Sequence, residues 1–178
     1  DYVVEIHGDG AEFDPHAVYP ATKYIEKGYD LITGSRFIKK SKALENGMSL
    51  LRFCANIFLS FFDRKILKLN LTEFHVGFKV YSKNLFENIP WEVTSDNYLH
   101  NFEVISQCAF FNLKVAEVEV EADYKSAHQS VSLMKSANYA LTHFITLIQF
   151  LFAKHLKIRN KLFTINKFRN QCIEKLYK

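Results

Sequence analysis

The sequence predicts an α/β fold: a mostly parallel sheet with flanking helices and amphipathic helices at the C-terminal end. Three observations carry this. Two short apolar runs, residues 2–6 and 31–33, flank a helical segment, within the about thirty residues that a βαβ unit takes. Each run ends in a polar, glycine-containing cluster, "HGDG" at 7–10 and "GSR" at 34–36. Further on, "KVAEVEVEA" alternates, with Ala116, Val118 and Val120 facing one way and Glu117, Glu119 and Glu121 the other, the pattern of a strand with one wet face. The first two strands are therefore expected as parallel neighbours joined by a right-handed crossover. Both clusters then fall at carboxyl ends of strands, where open α/β sheets bind ligands.

The remaining elements follow in order. Asp14 and Pro15 form an N-cap and first-turn pair, and Gly28 stops the helix that they start. In "GMSLLRFCANIFLSFFDRK" the polar residues Ser49, Arg52, Asn56 and Ser60 make one narrow stripe on an otherwise apolar helix. "LTEFHVGFKVYSK" reads as a loop entering a strand near residues 79–81, and helical pattern resumes over 97–111. Over 138–153 the stripe is Asn138, Thr142, Thr146 and Gln149. The apolar surface is too broad for an ordinary surface helix, and the run is shorter than the ~20 residues of a membrane span. An interfacial helix or a protein-buried one fits it, with core packing and dimerisation as the other reading.

With 48% hydrophobic and 24% charged residues the 178-residue chain can bury a core, which argues against disorder. Its three cysteines, Cys54, Cys108 and Cys172, are odd in number and widely spaced; that is neither a disulfide framework nor a zinc pattern, so a reducing compartment is expected. The chain opens without Met, directly in a strand-like run, and a fragment of a longer protein is expected. Charge divides it into two parts, residues 1–132 and residues 133–178. From 131 to the end there are nine basic residues and one acid, a net +8, against −4 for the first 130. A basic, aromatic tail suits a polyanionic surface. No nucleic-acid-binding signature is present, so an anionic membrane surface is the expected partner and nucleic acid is not.

Four places carry candidate chemistry. Asp9 stands between two glycines at a strand end, where a metal or ligand backbone can approach; Mg²⁺ and Mn²⁺ take such oxygen ligands and bridge to phosphates. The other reading is a turn in which Asp9 caps backbone amides. His7 is an acceptable Mn²⁺ ligand or a hydrogen-bonded structural residue. Arg36, presented after Gly34 and Ser35, suits a phosphate or carboxylate through its planar fork of donors, or an ordinary salt bridge. Glu73 could serve as a general base if it reaches the proton it must remove, or be a solvated loop acid. His75 reads as either structural or functional.

Together "VVEIHGDGAEFDP", "DLITGSRF", "LRFCANIFLSFF", "EFHVGFKVYS" and "KVAEVEVEA" resemble, in that order, the motifs of glycosyltransferase family 2. These are inverting nucleotide-sugar enzymes of GT-A (Rossmann-like) fold, and the likeness is to their polyprenyl- and dolichol-phosphate sugar transferases and polysaccharide relatives. It covers residues 1–132. Residue by residue, it implies that Asp9, with His7, holds a divalent metal (Mg²⁺ or Mn²⁺) on the donor diphosphate. It also implies that Gly34, Ser35, Arg36 and Asp9 bind the donor, and that Glu73 is the catalytic base. His7 replaces an Asp of the pattern, Ala11 and Glu12 stand where a Gln usually follows, Glu73 replaces Asp and Val76 replaces Ser. The family's N-terminal half is not within the chain, so residues 1–132 correspond to the C-terminal part of the catalytic domain.

The function implied for the complete enzyme is metal-assisted, inverting transfer of a sugar from a nucleotide diphosphate sugar. The acceptor would be a lipid phosphate or a glycan hydroxyl, as in cell-envelope polysaccharide synthesis. The expected location is cytoplasmic, peripheral at the inner face of the cell membrane, and a homo-oligomer is a further expected partner. The alternative is a non-catalytic descendant that binds sugar nucleotides or membranes.

Overall fold

The computed structural model describes residues 1–6, 15–122, 124 and 133–165. Its elements are β1 (Tyr2–Glu5), a 3₁₀ turn (Pro15–Ala17) leading into α1 (Val18–Glu26), β2 (Leu31–Ser35), α2 (Lys40–Glu45), α3 (Leu50–Leu67) and β3 (Lys79–Ser82). There follow α4 (Lys83–Asn88), a 3₁₀ turn (Trp91–Val93), α5 (His100–Phe110), β4 (Val115–Glu119), α6 (Leu133–Leu156) and a last 3₁₀ turn (Lys161–Phe163).

The sheet is mixed, in the order β1-β3-β2-β4. β3 runs antiparallel to both β1 and β2, while β2 and β4 are parallel. This corrects the expectation that β1 and β2 are neighbours, and that parallel pairing dominates. The two strands do point the same way, but β3 lies between them. Sequence proximity suggested a local pairing, whereas β3, buried at all four positions, claims both ladders from the inside. The carboxyl ends of β1, β2 and β4 still face one edge of the sheet.

Period-two alternation divides the strands between two apolar layers. Ile32, Val80, Ala116 and Val118 pack with Ala21 of α1 on one face. Leu31 and Tyr81 face the other side, where they join Phe102 and Ile105 of α5 and Leu147 and Phe150 of α6. Gly28, with φ +68°, ends α1 in the left-handed conformation as expected. Asp30 is buried at the start of β2 and accepts from Ser82 Oγ, Asn84 Nδ2 and the Lys114 N–H. One carboxylate thus ties β2, β3 and the entry to β4 at the edge opposite the candidate site.

The two broad apolar helices bury apolar residues such as Leu67, Leu147 and Phe150, but they bury polar ones too and leave other apolar residues outside. On α3, Ser60 and Asp63 are buried while Leu50, Leu51, Phe58 and Phe61 are exposed. On α6, His143 and Thr146 are buried while Leu141, Ile145, Ile148 and Phe152 are exposed. Of the polar stripes read from the sequence, Ser60 and Thr146 are buried, while Ser49 and Asn138 are exposed. α6 is 24 residues long, longer than the run read from the sequence, yet no described helix is long and apolar enough to cross a membrane.

Gly34 is where β2 is most crowded. A Cβ there would lie 2.9 Å from both methyl carbons of Val120 and 3.0 Å from a methyl carbon of Val76. Gly34→Ala is expected to destabilise the fold by about 1–3 kcal/mol through overpacking. Urea unfolding measures the loss, and pairing the change with Val120→Ala should recover part of it.

Candidate active site

The candidate site forms past the carboxyl ends of β2 and β4. Arg36 follows β2 directly, and Glu73 reaches it from the loop of residues 68–78 between α3 and β3. Glu73 is wholly buried and the Arg36 side chain is 10% exposed. The Arg36 backbone N–H donates to Glu73 Oε2 at 2.7 Å and its Nε donates to Oε1 at 2.9 Å. Nη2 also donates to Oε1, and Nη1 donates to the Tyr124 hydroxyl. A bidentate guanidinium–carboxylate pair of this kind holds both groups in one geometry.

Neighbouring groups are held equally firmly. Ser35 is buried; its Oγ lies 2.6 Å from Thr72 Oγ1 and accepts the Phe37 N–H at 3.1 Å. Thr72 donates its N–H and hydroxyl to Glu117. Burial pushes the Glu117 carboxyl above the ordinary carboxylate range, and the Thr72 donors oppose that shift. A shallow cleft opens beside Arg36, where Lys39 and Lys42 pair with Glu119, and Lys42 also with Glu121.

Of the residues singled out in the sequence, Arg36 and Glu73 are brought together. Gly34 and Ser35 lie within β2, one packed against Val120 and the other hydrogen-bonded to its surroundings. His7 and Asp9 lie outside the described residues, as do Ala11 and Glu12.

Two further groups of buried residues appear, of which only His75 was singled out in the sequence. Lys79 is fully buried on β3, with Nζ donating to the Val76 carbonyl at 2.5 Å and to Asn101 Oδ1 at 2.8 Å. Burial pushes its ammonium down to about 8, against the raising influence of Glu5 and Glu73. The second group is Asp63 of α3, His75 of the 68–78 loop and His143 of α6, a cluster with donor atoms suited to a metal ion. The available signal was Asp63 following the apolar run "IFLSFF" and His143 as the one titratable residue in "LTHFITL".

The fold has solved counterparts. Glucosyl-3-phosphoglycerate synthase from Mycobacterium tuberculosis, in complex with Mn²⁺, uridine diphosphate and glucosyl-3-phosphoglycerate, matches at TM-score 0.59 and 16% identity. The match covers 84% of this chain and 49% of that one. The same enzyme with Mn²⁺, UDP-glucose and glycerol 3-phosphate matches at TM-score 0.57 with the same coverage and identity. The chain thus spans about half the length of these structures. No protein-family model and no curated protein matches it. The fold is that of a GT-A glycosyltransferase, established by structure at low identity.

The Lys79 environment predicts a pH dependence. The folded state releases the Lys79 proton near pH 8, whereas the unfolded chain keeps it until about 10.4. The unfolded state therefore binds more protons between these values, and stability should rise with pH across that window. Above about pH 10 the buried phenols of Tyr81 and Tyr139, pushed up by burial, oppose the rise. Urea midpoints measured from pH 7 to 10 should increase for the native protein and stay flatter for Lys79→Met.

Proposed function

We propose that this chain forms the C-terminal part of the catalytic domain of a family 2-type glycosyltransferase. The whole enzyme would move a sugar from a nucleotide diphosphate sugar to an acceptor with inversion. The observation that carries the reading is Arg36, locked by Glu73 at the edge where β1, β2 and β4 all end. The fold-level likeness to UDP-sugar enzymes supports it by analogy.

In this reading Arg36 meets the donor diphosphate. Its Nη1 donates to a neutral phenol, Tyr124, and a phosphate oxygen is a stronger, charge-assisted acceptor. Gly34 and Ser35 place the guanidinium by fixing the end of β2. Asp9, with His7, is the proposed holder of a divalent metal, which supplies positive charge to offset that on the departing diphosphate. Two roles are open to Glu73, and the ion pair favours the first, that of holding Arg36 in place. The second, taking the acceptor proton, requires the carboxylate to be released from Arg36.

The exposed apolar residues of α3 and α6 and the net +8 of residues 131–178 support an acceptor met at a membrane surface. A lipid phosphate or a nascent glycan would suit that position, on the cytoplasmic side. Vesicles containing anionic lipid should bind the protein in a sedimentation assay, with binding falling as salt is raised. Equal binding to neutral vesicles would remove the electrostatic part of this reading.

The central test is release of nucleoside diphosphate from UDP- and GDP-sugars by the full-length protein with Mn²⁺ present. Arg36→Lys should raise the donor KM roughly ten- to a hundredfold, the value of a lost charge-assisted contact. Glu73→Gln should do the same while leaving the acid limb of the kcat profile in place. Loss of that limb would make Glu73 the base. Metal-dependent donor binding without turnover would identify a non-catalytic descendant.

A further inference from the structure

Asp63 and His143 are wholly buried, and the His75 side chain is only 6% exposed. Three separate parts of the chain bring them together: α3, the 68–78 loop and α6. Asp63 Oδ1 lies 2.6 Å from His143 Nε2, and Asp63 Oδ2 lies 3.2 Å from His75 Nε2. The second approach is not aligned as a hydrogen bond, so Asp63 Oδ2 and His75 Nε2 both lack a hydrogen-bond partner, as does His143 Nδ1. Ser60 Oγ, one turn before Asp63 on the buried side of α3, also has none. Buried polar atoms without partners are costly, and two of these, Asp63 Oδ2 and His75 Nε2, face each other across the cluster.

We infer that Asp63, His75 and His143 form a zinc site that fastens the 68–78 loop between α3 and α6. Two imidazoles and one carboxylate are a ligand set that Zn²⁺ accepts, whereas Mg²⁺ favours oxygen ligands and keeps much of its water. Tetrahedral bonds of about 2.0–2.1 Å place ligand atoms about 3.3 Å apart, and one donor atom from each of the three residues lies within 4.8 Å of the others. His75 Nδ1 lies 2.8 Å from the Tyr139 hydroxyl. That contact turns Nε2 toward Asp63, as an outer partner orients a ligating histidine. A divalent cation also compensates a carboxylate that is buried with imidazoles as its near partners. The site differs in its ligands from the metal proposed at Asp9, and its zinc would be structural.

The test is elemental analysis of the full-length protein after dialysis against zinc-free buffer containing Mg²⁺. One zinc per chain is expected, retained in Asp9→Asn and lost in His143→Gln and Asp63→Asn. Because those two variants could fail to fold, the wild type is also stripped and reloaded with Co²⁺. Intense visible bands of a four-coordinate cobalt ion are expected, together with a higher melting temperature on metal return. Wild-type protein that carries no zinc, shows no such bands and melts unchanged with added zinc would overturn the site. So would zinc that stays in His143→Gln but leaves with Asp9→Asn.

Discussion

A carboxylate shut away from water must find its counter-charge inside the protein, and Glu73 finds Arg36. Neither group is stable there alone, because an unpaired buried charge costs several kcal/mol. The end of β2 and the loop ahead of β3 are therefore obliged to fold together. The pair places a fixed guanidinium at the mouth of the sheet, whatever it is used for. Other contacts reinforce the same junction: Ser35 meets Thr72, and Thr72 reaches across to Glu117 of β4.

The loop of residues 68–78 is unusual in being buried along most of its length, with Leu71, Glu73, Phe74, Val76 and Phe78 all inside. Loops usually run over the surface because their polar groups need water. Here the inward polar side chains meet protein groups instead, Thr72 with Glu117, Glu73 with Arg36, and His75 through Nδ1 with Tyr139. The inward polar residues of α3 and α6 belong to the same arrangement. Helices that would otherwise turn Phe58, Phe61, Ile145 and Ile148 inward instead give Asp63 and His143 to the interior. The apolar residues left outside are what make these helices suited to a surface other than water.

The direction of the strands links this junction to a glycosyltransferase reading. β3 enters the sheet antiparallel between β1 and β2, and that insertion keeps β1, β2 and β4 pointing to one edge. Arg36 stands at that edge, directly after β2. A low-identity likeness to nucleotide-sugar enzymes agrees with this layout at the level of fold.

Local chemistry was enough for much of the fold. β-branched and alternating runs located the strands near residues 2–6, 31–33, 79–81 and 115–120, because side-chain period follows backbone geometry. Gly28 marked the end of α1 for the same kind of local reason. Arg36 and Glu73 stood out in the sequence as motif chemistry, but not that they bind each other, since 37 residues separate them. The place of β3 between β1 and β2 was hidden too, because hydrogen-bond partners of a strand are chosen by long-range packing. The polar stripes of α3 and α6 were visible in the sequence, but not that Ser60 and Thr146 would be buried. Periodicity shows that a helix has two faces; tertiary packing, here of Leu147 and Phe150 in the core and Asp63 against His143, decides which face is inside.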